Sequence, residues 1–205
     1  MIVMIDYGVG NLFSLKSSFA AIGYDVVVSG DAQVIEKADK IILPGVGAFA
    51  DAANKLKESG LDVLLCQLAQ KGTPIMGICL GMQLLLEKSY EYGETEGLGL
   101  IPGAVRPIAE QIENGLKIPH IGWNHLTFGK EKHPIFKYIQ EGDHVYFVHS
   151  YYGAECDENV IATTEYGGIL TAAVAKDNVC GCQFHPEKSG TVGLAILRGF
   201  CEWEV

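Results

Sequence analysis

Short apolar runs alternate with helix-like patterns over the first half of the chain. The run Ile41-Ile42-Leu43 has no polar face, whereas residues 12–22 carry Leu12, Leu15 and Phe19 on one helical stripe behind Asn11, a helix-capping residue. This alternation predicts a parallel sheet covered by helices on both faces. The predicted strands are residues 2–6, 26–28, 41–43 and 75–78, and the predicted helices are residues 12–22, 32–37, 48–57, 61–70 and 80–88.

The second half is dominated by strand-like segments. Turn residues such as Asp177-Asn178 separate some of them, and the scarcity of helical patterns favours antiparallel pairing. The predicted strands are residues 105–108, 122–127, 145–149, 160–164, 170–175 and 179–184, followed by a helix at residues 191–202. We therefore expect an α/β fold: one domain over residues 1–205, with a mixed, mostly parallel central sheet flanked by helices and an antiparallel portion in the second half.

Composition and charge narrow the classes of function. A chain of 205 residues suits one hydrophobic core. A net charge of −10 disfavours binding to nucleic acid. An acid at position six, with no basic leader, is a poor secretory signal, and the longest apolar stretch, residues 75–82, is too short to span a membrane. We expect a cytoplasmic protein without disulfides, because the chain shows no export signal and is long enough to build its own core. Its six cysteines include no C-x-x-C pair, so a zinc site is not indicated.

The most informative segment follows the predicted strand at residues 75–78. It reads GICLGMQ from Gly77 to Gln83 and matches G-x-C-x-G, the cysteine form of a nucleophile elbow. A sharp strand-to-helix turn would push the Cys79 sulfur above the sheet, and side chains at residues 77 and 81 would collide. The Leu80 amide would then face an oxyanion. A buried cysteine beside packing glycines is the alternative interpretation.

A thiolate nucleophile usually needs a base, and His185 is the strongest candidate among six histidines. It lies in Phe184-His185-Pro186-Glu187, directly after an apolar strand. Glu187 is placed to curve back and fix the imidazole tautomer. The long separation from Cys79 is no obstacle, because such pairs meet in space.

Two glycine-rich turns follow predicted strands, at residues 6–11 and 44–49. Neither ends in Lys-Ser/Thr, so a P-loop is not indicated. Each turn can hold an anionic ligand or supply backbone N–H groups to a developing oxyanion.

Together these segments resemble class I glutamine amidotransferase domains, which have a flavodoxin-like fold. Within that family the chain is similar, nearly end to end, to the glutaminase subunits of imidazole glycerol phosphate synthases. The segments that carry the resemblance are IDYGVGNL at residues 5–12, PGVGAF at 44–49, GICLGMQ at 77–83, PHIGWN at 119–124, YFVHSY at 146–151 and QFHPEKS at 183–189.

The resemblance implies a role for each matching residue. Cys79 would attack the glutamine carboxamide, His185 would transfer protons, and Glu187 would orient His185. The implied oxyanion hole is Gly45, Val46, Gly47 and Leu80, the implied substrate-binding residues are Gln83, Glu91, Ser150 and Tyr151, and the implied partner-interface residues are Asn11 and Trp123. Without the resemblance, Asn11 is equally a helix cap and Trp123 equally a core indole.

The resemblance also implies the partner. Ammonia from L-glutamine would pass to a separate (β/α)8-barrel cyclase subunit, which makes imidazole glycerol phosphate and an aminoimidazole carboxamide ribotide in histidine biosynthesis. No metal, organic cofactor, nucleic acid or membrane is expected.

Three alternatives stay open at this stage. The first is the glutaminase of anthranilate, aminodeoxychorismate or pyridoxal phosphate synthesis, against which residues 119–124 argue. The second is a cysteine hydrolase that acts alone on peptides or γ-glutamyl compounds. The third is a non-catalytic, flavodoxin-like module that binds an anion through its glycine turns.

Overall fold

A mixed eight-stranded sheet organises the chain in the computed structural model, which describes residues 1–113 and 115–205. The helices are α1 (Leu12–Ala21), α2 (Ala32–Ile35), α3 (Phe49–Ser59), α4 (Leu61–Gln70), α5 (Leu80–Leu84) and α6 (Gly190–Cys201). The strands are β1 (Ile2–Ile5), β2 (Val26–Ser29), β3 (Lys40–Leu43), β4 (Ile75–Ile78), β5 (Leu86–Ser89), β6 (Thr95–Glu96), β7 (Ile101–Pro107), β8 (His120–His125), β9 (Thr127–Phe128), β10 (His144–His149), β11 (Tyr151–Ala154), β12 (Val160–Glu165), β13 (Ile169–Lys176) and β14 (Val179–Cys182).

The strand order of the main sheet is β2-β1-β3-β4-β14-β13-β12-β9. The strands from β2 to β14 run parallel, and β13, β12 and β9 continue the sheet antiparallel. Two smaller sheets, β10-β8 and β11-β7-β5-β6, complete the fold. The expected mixed, mostly parallel central sheet is confirmed. Antiparallel pairing of the second half is only partly correct, because β14 pairs parallel with β4 and β7 pairs parallel with β5.

The apolar runs are buried on both faces of the sheet, as their lack of a polar side predicts. Val3 and Ile5 point into a core shared with α3 and α4. Ile2 and Met4 point to the opposite core, which Leu15 of α1 and residues of α6 complete. Because side chains alternate along a strand, one sequence run fills two cores.

Several expectations about individual elements are wrong or incomplete. The helix expected at residues 80–88 ends at Leu84, and β5 follows because Leu86 pairs with Ile101 of β7. The short strands β6 and β11 were not expected. The strand expected at residues 179–184 ends at Cys182, where the chain turns toward His185. Among the described residues, no helix combines the length and apolar character that crossing a bilayer requires.

Helix α6 is held close to its neighbours by glycine. A methyl group on Gly199 would overlap the Ile135 carbonyl, and its carbonyl carbon would lie at 2.8 Å. The contact is with backbone, which cannot rotate away as a side chain can. Packing therefore requires glycine at residue 199, although glycine is a poor helix former.

We expect Gly199→Ala to lower the free energy of unfolding by about 2 kcal/mol, because overpacking costs about 3 kcal/mol and better helix propensity returns about 1 kcal/mol. Chemical denaturation checks this value. The neighbouring exposed change Arg198→Ala, which removes an ion pair with Glu202, should stay within about 0.5 kcal/mol. Equal stability of the Gly199→Ala protein and the wild type would contradict the packing argument.

Candidate active site

Cys79 lies at the turn between β4 and α5, in a backbone conformation that non-glycine residues rarely adopt. Its φ is 55° and its ψ is −111°. Such a conformation costs about 1–3 kcal/mol and persists only where the surroundings enforce it. Here the Cys79 N–H donates to the carbonyl of Cys182 at 2.7 Å, which ties the turn to β14. The expected nucleophile elbow is present.

The two glycines of the elbow allow this turn. A Cβ on Gly77 would lie 2.6 Å from the Gly81 carbonyl atoms, and a Cβ on Gly81 would overlap the Leu43 carbonyl. Both positions therefore exclude larger side chains, as the pattern predicts. Helix α5, which begins directly after Cys79, has only five residues and is shorter than expected.

His185 and Glu187 lie beside Cys79, at the end of β14. His185 Nδ1 lies 2.8 Å from Glu187 Oε1, and both side chains are buried. A carboxylate only accepts, so Nδ1 donates and Nε2 is left to face the thiol. The His185 N–H donates to the Tyr146 carbonyl at 2.9 Å, and Ser189 Oγ donates to the His185 carbonyl at 2.6 Å. These bonds, to β10 and to the residue that precedes α6, hold the backbone of His185 in place.

The charge state of His185 suits proton transfer. Burial opposes a cationic imidazole, but hydrogen bonds with Cys79 and Glu187 outweigh it and raise the pKa of His185 to about 9. The arrangement therefore provides a nucleophile, a proton carrier and an orienting carboxylate in one contact series.

A cavity of about 420 Å³ opens above the Cys79 sulfur. Its size suits a small molecule such as an amino acid. The structure brings most of the sequence-predicted site residues to its wall, namely Val46, Gly47, Cys79, Leu80, Gln83, Glu91, Ser150, Tyr151 and His185.

The glycine turn after β3 forms one side of the cavity. Val46 and Gly47 line it, whereas Gly45 packs behind them, where a Cβ would lie 2.8 Å from the Gly81 nitrogen. The Tyr7 hydroxyl donates to the Pro44 carbonyl at 2.7 Å and anchors this turn to the one after β1. The turns that follow β1 and β3 therefore lie against each other beside the cavity.

The opposite wall carries polar groups for a substrate. Gln83 Nε2 donates to the Tyr151 carbonyl at 3.1 Å and to Gln183 Oε1 at 2.9 Å. Glu91 lines the cavity, and its Oε2 accepts the Phe49 N–H at the start of α3 at 2.6 Å, so one carboxylate oxygen is already engaged.

Two buried residues near the nucleophile were not singled out from the sequence. Gln183 is fully buried, and its Nε2 donates to Cys79 Sγ at 3.7 Å. His149 lines the cavity and is buried. Both lie in segments that carry the family resemblance, but only the folded chain brings them to the thiol.

The two expected interface residues lie outside the cavity wall. Asn11 caps α1, and its Oδ1 accepts the Ser14 N–H at 3.4 Å. Trp123 is 55 % exposed, so the core interpretation of this indole is wrong. Its ring meets the Tyr146 ring edge-on at 6.1 Å.

A larger, open concavity of about 1060 Å³ lies between β11 and β12, away from the elbow. Cys156 lines it, but burial raises the pKa of this thiol to about 11. A protonated thiol is a poor nucleophile. The cavity at Cys79 is therefore the candidate active site, although it is smaller than the concavity at Cys156.

Comparison with known proteins identifies the family of the whole chain. A sequence model of the family "Glutamine amidotransferase class-I" matches residues 3–202. The chain is 50% identical over 202 residues to the Lactococcus lactis protein named imidazole glycerol phosphate synthase subunit HisH, covering 98% of both chains. It is also 50% identical over 200 residues to the protein of the same name from Aquifex aeolicus, covering 97% of this chain and 94% of that protein.

Solved structures share the fold at low sequence identity. One described as a glutamine amidotransferase superposes with a TM-score of 0.77 at 20% identity, covering 98% of both chains. A chain of the PurLQS structure from Thermotoga maritima superposes with a TM-score of 0.76 at 21% identity, covering 98% of this chain and 96% of that one. Because the family model matches residues 3–202 and relatives of about 50% identity cover nearly the whole chain, the chain belongs to the class-I glutamine amidotransferase family.

Proposed function

We propose that this chain is the glutaminase subunit of an imidazole glycerol phosphate synthase. It hydrolyses L-glutamine to glutamate and ammonia, and it delivers the ammonia to a (β/α)8-barrel cyclase subunit in the cytoplasm. The observation that carries the proposal is that Cys79, held in a strained backbone conformation, lines the same cavity as His185, whose Nδ1 is bound to the buried Glu187 carboxylate. Relatives of about 50% identity are named as subunits of that synthase.

In the proposed reaction, Cys79 Sγ attacks the carboxamide carbon and its proton resides on His185 Nε2. The tetrahedral oxyanion accepts hydrogen bonds from the backbone N–H groups of Leu80 and of the turn at residues 45–47. Collapse breaks the C–N bond, and His185 protonates the leaving amine, which departs as ammonia. Water, deprotonated by His185, then hydrolyses the glutamyl thioester and releases glutamate and the thiol.

Substrate recognition is assigned to the cavity wall. Both amide hydrogens of Gln83 are donated to protein acceptors, so its carbonyl oxygen is the atom left for substrate. Ser150 and Tyr151 supply backbone groups. The free oxygen of Glu91 is assigned to the substrate ammonium group, since its other oxygen binds the Phe49 N–H.

The exposed indole of Trp123 supports a docked partner. The indole is 55% exposed, and tryptophan is enriched among the residues that contribute most to binding at protein interfaces. We assign Trp123 and Asn11 to the cyclase interface. The partner thereby covers the face next to the β10 strand that anchors His185.

The decisive assay measures glutamine hydrolysis by this chain with and without the barrel cyclase and its nucleotide substrate. We expect weak activity alone and strong stimulation by the partner. Cys79→Ala should lower the stimulated rate by at least about 10³-fold. The half-buried Cys66→Ala is the matched control and should keep the wild-type rate. Full activity of the isolated chain would favour a hydrolase that acts alone, and retained activity in Cys79→Ala would reject the nucleophile.

Glu187→Gln should lower kcat by about 10³-fold or more, because a carboxylate that orients the imidazole becomes an amide. It should also lower the pKa of His185 below about 9, since the charge and charge-assisted hydrogen bond that raise it are lost. The measurement is an NMR titration of labelled histidine, with His185→Asn used to assign the resonance. An unchanged His185 titration in the variant would contradict the assigned pair.

The same pKa shift predicts how stability depends on pH. The folded-state pKa of His185 lies above its unfolded value of about 6.5, so protonation stabilises the fold below about pH 6.5. That contribution is lost as the pH rises through about 9. The stability advantage of wild type over Glu187→Gln should therefore be smaller at pH 10 than at pH 6, as measured by urea denaturation.

Trp123→Ala should weaken binding of the cyclase about 30-fold, the usual cost of truncating an aromatic anchor (about 2 kcal/mol). Isothermal titration calorimetry gives the Kd. Val63→Ala removes another exposed apolar side chain, on α4, and should leave the Kd unchanged. Equal affinity of Trp123→Ala and wild type would reject Trp123 as an interface residue.

A further inference from the structure

Two buried histidines next to the site have no part in the proton transfers described above. His120 and His149 are almost fully buried, and their rings are joined by a contact of 3.0 Å between His120 Nδ1 and His149 Nε2. His120 is stacked between the rings of Phe147 and Tyr166, at centroid distances of 4.9 and 4.2 Å. Burial lowers the pKa of both histidines to about 4, so the pair is neutral at physiological pH.

Their surroundings fix both tautomers. His149 Nδ1 lies 2.8 Å from the Tyr151 carbonyl, which only accepts, so this nitrogen carries the proton. His149 Nε2 is then an acceptor, and His120 Nδ1 donates to it. His120 Nε2 is in turn unprotonated and faces Asn124 Nδ2 at 3.5 Å. All donors in this series point from β8 toward the cavity wall.

The Tyr151 carbonyl is the point where this series meets the active site. It accepts from His149 on one side and from Gln83 Nε2 at 3.1 Å on the other. The second hydrogen on Gln83 Nε2 goes to Gln183 Oε1 at 2.9 Å. With its oxygen engaged, the Gln183 amide turns its nitrogen toward Cys79 Sγ, at 3.7 Å. The Tyr151 carbonyl thus sets the orientation of the Gln83 amide, and the Gln83 amide sets the orientation of the Gln183 amide.

We propose that His149 is a positioning residue: its Nδ1–H holds the Tyr151 carbonyl, and this carbonyl fixes the amides of Gln83 and Gln183 against the substrate and the nucleophile. Gln83 then presents a carbonyl oxygen to the cavity, and Gln183 presents an N–H to the sulfur. Reversing either amide would offer the substrate or the thiolate a group of the wrong polarity. His149 therefore acts on glutamine binding through other residues, without touching the reacting atoms.

Three substitutions of His149 distinguish this role from simple filling of space. The amide nitrogen of asparagine is as many bonds from Cα as histidine Nδ1, so His149→Asn keeps a donor for the Tyr151 carbonyl. The amide nitrogen of glutamine corresponds to Nε2, so His149→Gln loses that donor and keeps a polar side chain. His149→Phe loses all polar atoms and keeps the ring.

The test measures KM and kcat for L-glutamine with the barrel cyclase present. His149→Gln and His149→Phe should each raise KM about tenfold, the effect of one lost hydrogen bond at a buried site. His149→Asn should stay within about threefold of the wild-type KM. His133→Phe is the control: His133 is another neutral histidine, with a pKa of about 4 caused by burial, and it packs on Trp203 at 4.9 Å. It should leave KM unchanged.

Equal KM values for His149→Asn and His149→Gln would overturn the positioning role. That comparison still decides the matter if His149→Phe fails to fold. The positioning role of His149 rests on the proposed glutaminase function. Failure of the glutaminase proposal and failure of the His149 proposal give different results. A wild-type protein that does not turn over glutamine with its partner would overturn both, whereas active variants with unchanged KM would overturn the role of His149 alone.

Discussion

Close approach of backbone to backbone at the carboxyl end of β4 is the constraint on which the site depends. Gly77 faces the Gly81 carbonyl, and Gly81 faces the Leu43 carbonyl, at separations that leave no room for a side chain. This compression holds Cys79 at a φ of 55° and lifts its sulfur into the cavity. The same parallel sheet that buries Ile75 and Met76 on opposite faces makes the compression possible, because β3 and β14 lie on either side of β4. Fold stability and nucleophile strain are therefore linked.

Histidines in one small region have opposite charge preferences, and their neighbours explain why. His185 contacts a carboxylate and a thiol, which raise its pKa to about 9 against the effect of burial. His149 and His120 contact a backbone carbonyl, an amide and aromatic rings, none of which carries charge, so burial lowers their pKa to about 4. One histidine therefore carries charge for chemistry, while the other two are suited to holding dipoles in a fixed direction.

The two-stranded sheet β8-β10 connects the exposed face of the molecule with the interior of the site. Trp123 on β8 contacts the Tyr146 ring on β10, and the Tyr146 carbonyl accepts the His185 N–H. The polar series from Asn124 to the Tyr151 carbonyl starts one residue from Trp123. A partner docked on the indole would thus be linked to His185 through Trp123 and Tyr146, and it would lie close to the polar series that reaches the cavity wall.

Local patterns predict three features correctly: apolar runs predict the parallel strands of the first half, glycine spacing predicts the elbow at Cys79, and a short turn after a strand predicts the His185–Glu187 pair. Helix-like spacing misled at residues 80–88, where pairing of Leu86 with Ile101 converts the end of the helix into a strand. Other features become visible only in the folded chain. Trp123 is exposed, Gln183 reaches the Cys79 sulfur, and His149 and Gln83 both donate to the Tyr151 carbonyl. These contacts join residues from different strands, and their direction depends on burial and hydrogen-bond geometry, which spacing along the chain does not specify.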